Sequence, residues 1–263
     1  MTADPNAYYT SRVGVGMYDL FTGQGLLAGD LDFYLDCARE YGGPILELGV
    51  GTGRLLVPLA EAGYDVVGLD LSRPMLDIAA ARLAGRGFDD RTQLVEASMA
   101  DFDLDRQFPL VIIAARSFQH LTNPAAQRAT LECVRRHLSP SGTLVLDLFD
   151  PNFELLAATH SHGPKPREAR NPETGELVRR TVVSRHHDGA AQTIEETLRF
   201  EVVKPDGAVE TSEQTSWTLR WSTRQETTWL LELCGLEPIA LYSDFNRSPP
   251  AYGCEQLWVA RAV

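Results

Sequence analysis

Three glycines at alternate positions, Gly49, Gly51 and Gly53, stand between an apolar run and a helical pattern in "PILELGVGTGRLLVPLAEAGYDVVGLDLS", residues 44–72. Glycines placed between a strand and a helix let backbone N–H groups approach an anionic or polar ligand at the positive helix N-terminus. Two acids frame them: Glu47 lies inside the strand, and Asp70 closes the next apolar run. An ionisable group in an apolar strand is costly unless bonded, so Glu47 is expected to accept from the loop amides or from an amino group of the ligand. A second chemically equipped stretch is "ARSFQHL", residues 115–121, where Arg116, Ser117, Phe118, Gln119 and His120 follow another apolar run. An imidazole with an ordinary pKa of about 6.5 takes a proton near neutral pH, which makes His120 the candidate general base. Its plainer role is to hydrogen-bond at a helix start. Asp147, Phe149 and Asp150 end a further run, and "SDFNRSPP" supplies Asp244, Phe245, Asn246 and Arg247.

The elements that position these residues follow from periodicity. Residues 44–50, 65–71, 92–97, 109–115 and 143–149 are short runs, apolar on both faces, as buried strands of a parallel sheet require. Ser72 with Pro74, and Asn123 with Pro124, are helix starts, and Thr223 with Glu226 is a capping box. The β-α-β-α order predicts an α/β, Rossmann-like doubly wound sheet of seven strands, completed by residues 237–245 and 254–263, with the last strand antiparallel. In such a sheet ligands collect beyond the carboxyl ends of the strands, where the stretches above belong. Residues 151–175, rich in Pro, Gly, His and charge, read as a surface loop. After it, Ile194, Leu198, Phe200 and Val202 alternate with Glu195, Thr197, Arg199 and Glu201, and Trp217, Leu219 and Trp221 share one parity. That is an antiparallel insert with one wet face, between the fifth strand and the helix at 223.

Composition narrows the partners. With 24 Lys and Arg against 36 Asp and Glu, the net charge is −12, which disfavours a nucleic acid and suits a small molecule. The polar N-terminus "MTADPNAYYTSR" and the lack of a long apolar run point to a cytoplasmic protein without a membrane span. Cys37, Cys133, Cys234 and Cys254 form no CxxC pair and read as reduced thiols, mostly buried. The adjacent His186 and His187 read as a solvated edge, and His160 with His162 as loop residues, so no metal is expected.

Both dinucleotide and S-adenosylmethionine (SAM) sites use a glycine loop of this kind. A dinucleotide fingerprint requires G-x-G-x-x-G, whereas here the third glycine comes one residue early and Arg54 takes the place of Gly or Ala. "LELGVGTGR", Asp70 and "LSRPML" together resemble the class I SAM-dependent methyltransferases over residues 44–150 and 223–263. The resemblance implies that Glu47, Gly49, Gly51, Gly53, Arg54, Met99 and Ala115 contact SAM and that Asp70 holds the ribose hydroxyls. Leu71 and Met75 would pack on the adenine, and Ser98 stands where the family often has an adenine-binding Asp. The ending of "ARSFQHL" and the N-terminal "YDL" look like small bacterial natural-product methyltransferases, including deoxyaminosugar N,N-dimethyltransferases, and carry over His120 and Tyr18 as transfer-site residues.

On that resemblance, residues 1–40 are a helical cap over the active site, 41–150 and 223–263 the SAM-binding core, and 151–222 a lid or dimerisation insert. Tyr9, Arg116, Phe118, Phe149, Asp244 and Asn246 would face the acceptor. Expected is methyl transfer from SAM to an N, O or C nucleophile of a small molecule, leaving S-adenosylhomocysteine (SAH) and needing no metal. An NAD(P)-dependent oxidoreductase and a SAM-binding regulator without catalysis are the rival readings.

Overall fold

A computed structural model describes residues 7–22, 27, 29–157, 160–161, 165–172 and 174–263. In chain order come helices α1 (Ala7–Thr10), α2 (Arg12–Thr22) and α3 (Asp30–Tyr41), then β1 (Ile45–Leu48), α4 (Leu56–Glu61), β2 (Val66–Asp70), α5 (Arg73–Leu83) and β3 (Thr92–Glu96). β4 (Phe108–Ile113), a 3₁₀ turn (Ser117–His120), α6 (Pro124–His137) and β5 (Leu138–Phe149) follow. The insert holds α7 (Phe153–Leu156), β6 (His160–Ser161), β7 (Arg167–Arg170), β8 (Leu177–Asp188), β9 (Thr193–Val203) and β10 (Val209–Arg220). The chain ends with α8 (Arg224–Leu233), β11 (Leu236–Tyr242) and β12 (Glu255–Ala262).

Chain contacts divide these elements into two compact units, residues 28–152 with 221–263 and residues 1–27 with 153–220. The first unit is the seven-stranded sheet, ordered β3-β2-β1-β4-β5-β12-β11. β1 to β5 run parallel, and β12 is antiparallel to both β5 and β11. The expected fold class is therefore the observed one. Alternation assigns the two faces. Leu46, Leu48, Val111 and Ile113 join Leu131 and Val134 of α6 and Leu231 of α8 in one apolar cluster. Ile45 and Glu47 therefore point to the other face. Each such leucine removed from water contributes about 1.5–3 kcal/mol. The sequence signals mark the helix starts: Ser72 Oγ accepts from Met75 N, Asn123 Oδ1 accepts from Ala125 N, and Thr223 and Glu226 close a reciprocal box.

α3 corrects the expected cap over residues 1–40. Phe33, Tyr34, Cys37 and Ala38 bury one helical stripe, and α3 contacts α4, β4 and β5. It belongs to the sheet unit because that stripe has a core to cover.

The second unit joins α1 and α2 to the antiparallel sheet β10-β9-β8-β6, with β7 also paired to β8. Tyr8, Val13 and Phe21 pack against Val178, Val182, Leu198 and Phe200. Part of the expected 151–175 loop is thus helix and strand, while residues 158–159, 162–164 and 173, with His162 among them, lie outside the described residues. Two further expectations change, at Trp221 and His187, and Glu196 is a feature that the alternation did not mark. Trp221 follows the end of β10 and belongs to the other unit, apart from Trp217 and Leu219. His187 is buried, and only its neighbour His186 is exposed. Glu196 shares the apolar parity of β9 and stays buried because Arg185, its cross-strand partner, donates Nε to Glu196 Oε1 at 2.7 Å.

Candidate functional site

The glycine loop leaves β1 and turns sharply back. Gly49 N and Val50 N both donate to Leu69 O, at 2.7 and 3.0 Å, and Gly51 N donates to Asp70 Oδ2 at 2.8 Å. Gly49, Gly51 and Gly53 have φ of 73°, 54° and 77°, a left-handed conformation that side chains resist. At Gly49 space matters as well, since a Cβ there would lie 2.7 Å from Cβ and Oγ of Ser117 and 3.4 Å from Cε of Met99. The loop is thus in van der Waals reach of the residues that follow β3 and β4.

Asp70 is anchored rather than splayed into solvent. Its Oδ1 accepts from Ser72 N at 2.8 Å while Oδ2 takes Gly51 N, and a carboxylate with about four acceptor sites still has room for a further donor. Burial raises its pKa, and the N–H donors of Ser72, Gly51 and Leu71 oppose that rise. Leu71 beside it is 62% exposed, an apolar face open to a flat ligand.

Glu47 is only 3% exposed, and its Oε2 has no hydrogen-bond partner in the protein. The amides of Gly49, Val50 and Gly51 are committed elsewhere, which removes them as partners of this acid. Burial pushes its pKa up to about 8, moderated by Arg54 and reinforced by Asp70 and Asp30. Arg54 itself turns to α3, where its guanidinium grips the carboxylate of Asp30 with Nη1–Oδ1 at 3.0 Å. A buried acid lacking a donor, next to a left-handed glycine cradle and a two-oxygen acceptor, fits the ammonium, backbone and ribose of SAM.

Around the carboxyl ends of β4, β5 and β11 stands the rim. Ala115 and Arg116 have φ of 55° and 61°, and the half-buried His120 ends the 3₁₀ turn that follows. Asp147, 0% exposed, accepts from Arg116 N at 2.9 Å and from Tyr34 Oη at 2.5 Å. The Arg116 guanidinium pairs with Glu255 and stands 5.5 Å from the centre of the Phe149 ring. Its charge is therefore compensated internally, and burial with partial relief by Arg116 brings Glu255 up to about 7. Asp150 bonds Arg224, Gly253 N and Gln256 and is a structural latch. Asp244 accepts from Asn246 N and Ser248 N, which holds its carboxyl below its usual value and leaves the Asn246 side chain exposed. Arg247 pairs with Glu40 at 3.0 Å at the surface.

Two expected contacts change. Phe118 is 3% exposed inside the apolar cluster over α6, where it serves the core and has no face for an acceptor. Met75 is 1% exposed, so Leu71 alone of that pair offers surface to an adenine. Ser98 Oγ accepts from Ala100 N at 3.2 Å in its own turn, and half-buried Met99 reaches the glycine loop. Tyr9 and Tyr18 lie in the other unit, ring centroids 6.5 Å apart, against its apolar cluster. Sequence reasoning passed over Tyr34, Asp30 and Glu255. The stripe of residues 30, 33, 34, 37 and 38 was the available signal for Tyr34, because a buried tyrosine needs a partner for its hydroxyl.

Among the described residues no group of His, Cys, Asp and Glu is arranged to hold a metal ion, and no helix is long and apolar enough to cross a membrane.

Residues 45–142 match the family described as "Methyltransferase domain". The cypemycin N-terminal methyltransferase of a Streptomyces species is 33% identical over 155 residues, 57% of this chain and 59% of that protein. The dTDP-3-amino-3,6-dideoxy-alpha-D-glucopyranose N,N-dimethyltransferase of Streptomyces fradiae is 29% identical over 232 residues, 86% of this chain and 84% of that protein. Several curated relatives above 30% identity are spanned over only about half their length. Among solved structures, the CcbJ methyltransferase from Streptomyces caelestis superposes with a TM-score of 0.75 and 26% identity, over 92% of this chain and 98% of that one.

Proposed function

We propose that this chain, which belongs to the class I SAM-dependent methyltransferases, methylates an amine of a small natural-product intermediate. The observation that carries the cofactor assignment is Glu47 Oε2, buried without a donor beside the glycine cradle and Asp70. SAM supplies a methyl group already activated by its sulfonium. The chain's own work is to bind, align and manage one proton. Glu47 holds the ammonium of the amino-acid tail, Asp70 takes the ribose hydroxyls, and Leu71 lies along the adenine. Arg54 keeps the acid-rich corner in balance through Asp30 and Glu47.

An amine attacks through its lone pair and must shed a proton to become neutral again. His120, on the rim at the carboxyl end of β4, receives that proton. The amine class is favoured by what the relatives are named for, an N-terminal methyltransferase and an aminosugar N,N-dimethyltransferase. Tyr18 and a homodimer built on the insert enter the proposal through the family resemblance alone, Tyr9 and a cytoplasmic setting through the sequence alone.

The test is a titration with SAH and with NADH, followed by incubation with methyl-labelled SAM and a panel of aminosugars and peptide amines. SAH binding together with label transfer that falls in His120→Ala supports the proposal. NADH binding without SAH binding refutes the cofactor, and SAH binding without transfer to any amine refutes the reaction.

A further inference from the structure

We propose that Tyr34 and Asp147 are positioning residues, which hold the left-handed turn at Ala115 and Arg116 and so fix where His120 stands on the rim. This inference rests on the methyl-transfer reading above. The turn needs holding: two consecutive residues with side chains sit at φ of 55° and 61°, a conformation that an L-residue leaves unless something restrains it. The turn's own bond, Ser117 N–H to Ala114 O at 3.1 Å, closes it, and the restraint that ties its backbone to the sheet is one carboxylate. Asp147, at the end of β5 and 0% exposed, accepts the Arg116 N–H at 2.9 Å with one oxygen and the Tyr34 hydroxyl at 2.5 Å with the other.

Tyr34 is equally buried, and its ring is caged by Phe33 and Phe245 with centroids 5.3 and 6.3 Å away, so the hydroxyl has one direction to point. Burial and the neighbouring Asp147 push the phenol well above its ordinary pKa, so it remains a donor throughout the working range. The chain beyond the turn is held both to the residue that leaves β4 and to β5. Ser117 Oγ donates to Ala114 O at 2.7 Å, and Gln119 Oε1 accepts from Phe149 N at 2.9 Å. His120 is the next residue, so a shift of the turn moves the imidazole with it. The turn also sets the wall beside the cofactor loop, because Ser117 occupies the space that a Gly49 side chain would need. Neither Tyr34 nor Asp147 is assigned to cofactor, acceptor or proton; they act through the backbone that carries His120.

The experiment compares wild type, Tyr34→Phe, Asp147→Asn, His120→Ala and the double variant Asp147→Asn/His120→Ala. Each is measured for SAH affinity by calorimetry, for the ¹⁵N shifts of the His120 imidazole, and for kcat and KM with an amine that the wild type methylates. Expected are SAH affinities within a few-fold of wild type, because Glu47 and Asp70 are untouched. In Tyr34→Phe and Asp147→Asn the His120 shifts move and kcat falls by about tenfold to a hundredfold, the size of a misplacement near an ångström. In the double variant kcat matches His120→Ala, because a residue that acts through His120 has nothing left to position. Unchanged imidazole shifts and kcat in both single variants overturn the inference, as does an additive loss in the double variant. Loss of SAH affinity in step with rate also overturns it, since that marks general damage. If Asp147→Asn does not fold, Tyr34→Phe decides, both alone and combined with His120→Ala. If the wild type methylates no amine, the functional reading fails by itself, and the imidazole shifts still decide whether Tyr34 and Asp147 set the position of His120.

Discussion

Glu47→Gln is expected to stabilise the cofactor-free protein at neutral pH while weakening its hold on SAH. Glutamine copies the neutral carboxyl in size, so the two chains differ mainly in whether a proton must be bound on folding. The carboxyl has a pKa of about 8 in the folded protein against an ordinary 4.5, raised chiefly by burial. Between those values the folded state holds a proton that the unfolded state has lost, so wild-type stability falls as pH rises through that window and levels off above it. At about 1.4 kcal/mol per pKa unit, the resulting cost is about 1 kcal/mol at pH 5, about 3 at pH 7 and about 4 at pH 8. The variant escapes this cost. Urea unfolding of both cofactor-free chains at the three pH values reads it as a widening gap in favour of Glu47→Gln. Asp70, Asp147 and Glu255, also raised by burial, are common to both chains and cancel in the difference. A gap that stays flat with pH, or a variant less stable than wild type at pH 7, refutes the reasoning. The same proton links binding to pH. If the SAH ammonium settles on Glu47, close to one proton leaves per molecule bound at pH 7, which calorimetry in phosphate and in Tris resolves, and Glu47→Gln abolishes that release.

Gly49→Ala should cost about 2–4 kcal/mol and most of the SAH affinity, because the added methyl combines a φ of 73° with a 2.7 Å approach to Ser117; thermal melts and SAH titration measure both. Thr223→Ala, which opens the capping box of α8, should lower stability by about 1 kcal/mol and leave SAH affinity unchanged. Of the four cysteines, Cys254 is exposed and the other three are buried, so a chromogenic disulfide should titrate one thiol in the native protein and four in denaturant.

Much of the fold was readable because its determinants are local. Ser72, Asn123 and Thr223 are helix starts whichever core they serve, and strands apolar on both faces leave few architectures open. What was not readable depended on distant partners. Glu196 looks like a solvent residue until Arg185 is found opposite it on the neighbouring strand. α3 joins the sheet unit because its apolar stripe has a core to cover, which its distance along the chain from β4 and β5 does not reveal.

The site divides along the same line. Asp70 and the glycines act through atoms within a few residues of the loop, and their roles follow from type and spacing. The rim was read as a set of outward-facing polar groups, and half of it turned inward. Arg116 spends its charge on Glu255, Phe118 enters the core, and Asp147 spends both oxygens on Tyr34 and the Arg116 amide. A rim that must present one base in one place needs more restraint than it needs reactive groups, because the left-handed turn before His120 has only its own short bonds until Asp147 ties it to β5. Residues at the ends of strands therefore read as chemistry in a sequence when some of them are the scaffold of that chemistry. The two kinds separate only when each donor and acceptor has been assigned its partner, and that accounting leaves Glu47 Oε2, beside the glycines, short of a partner within the protein.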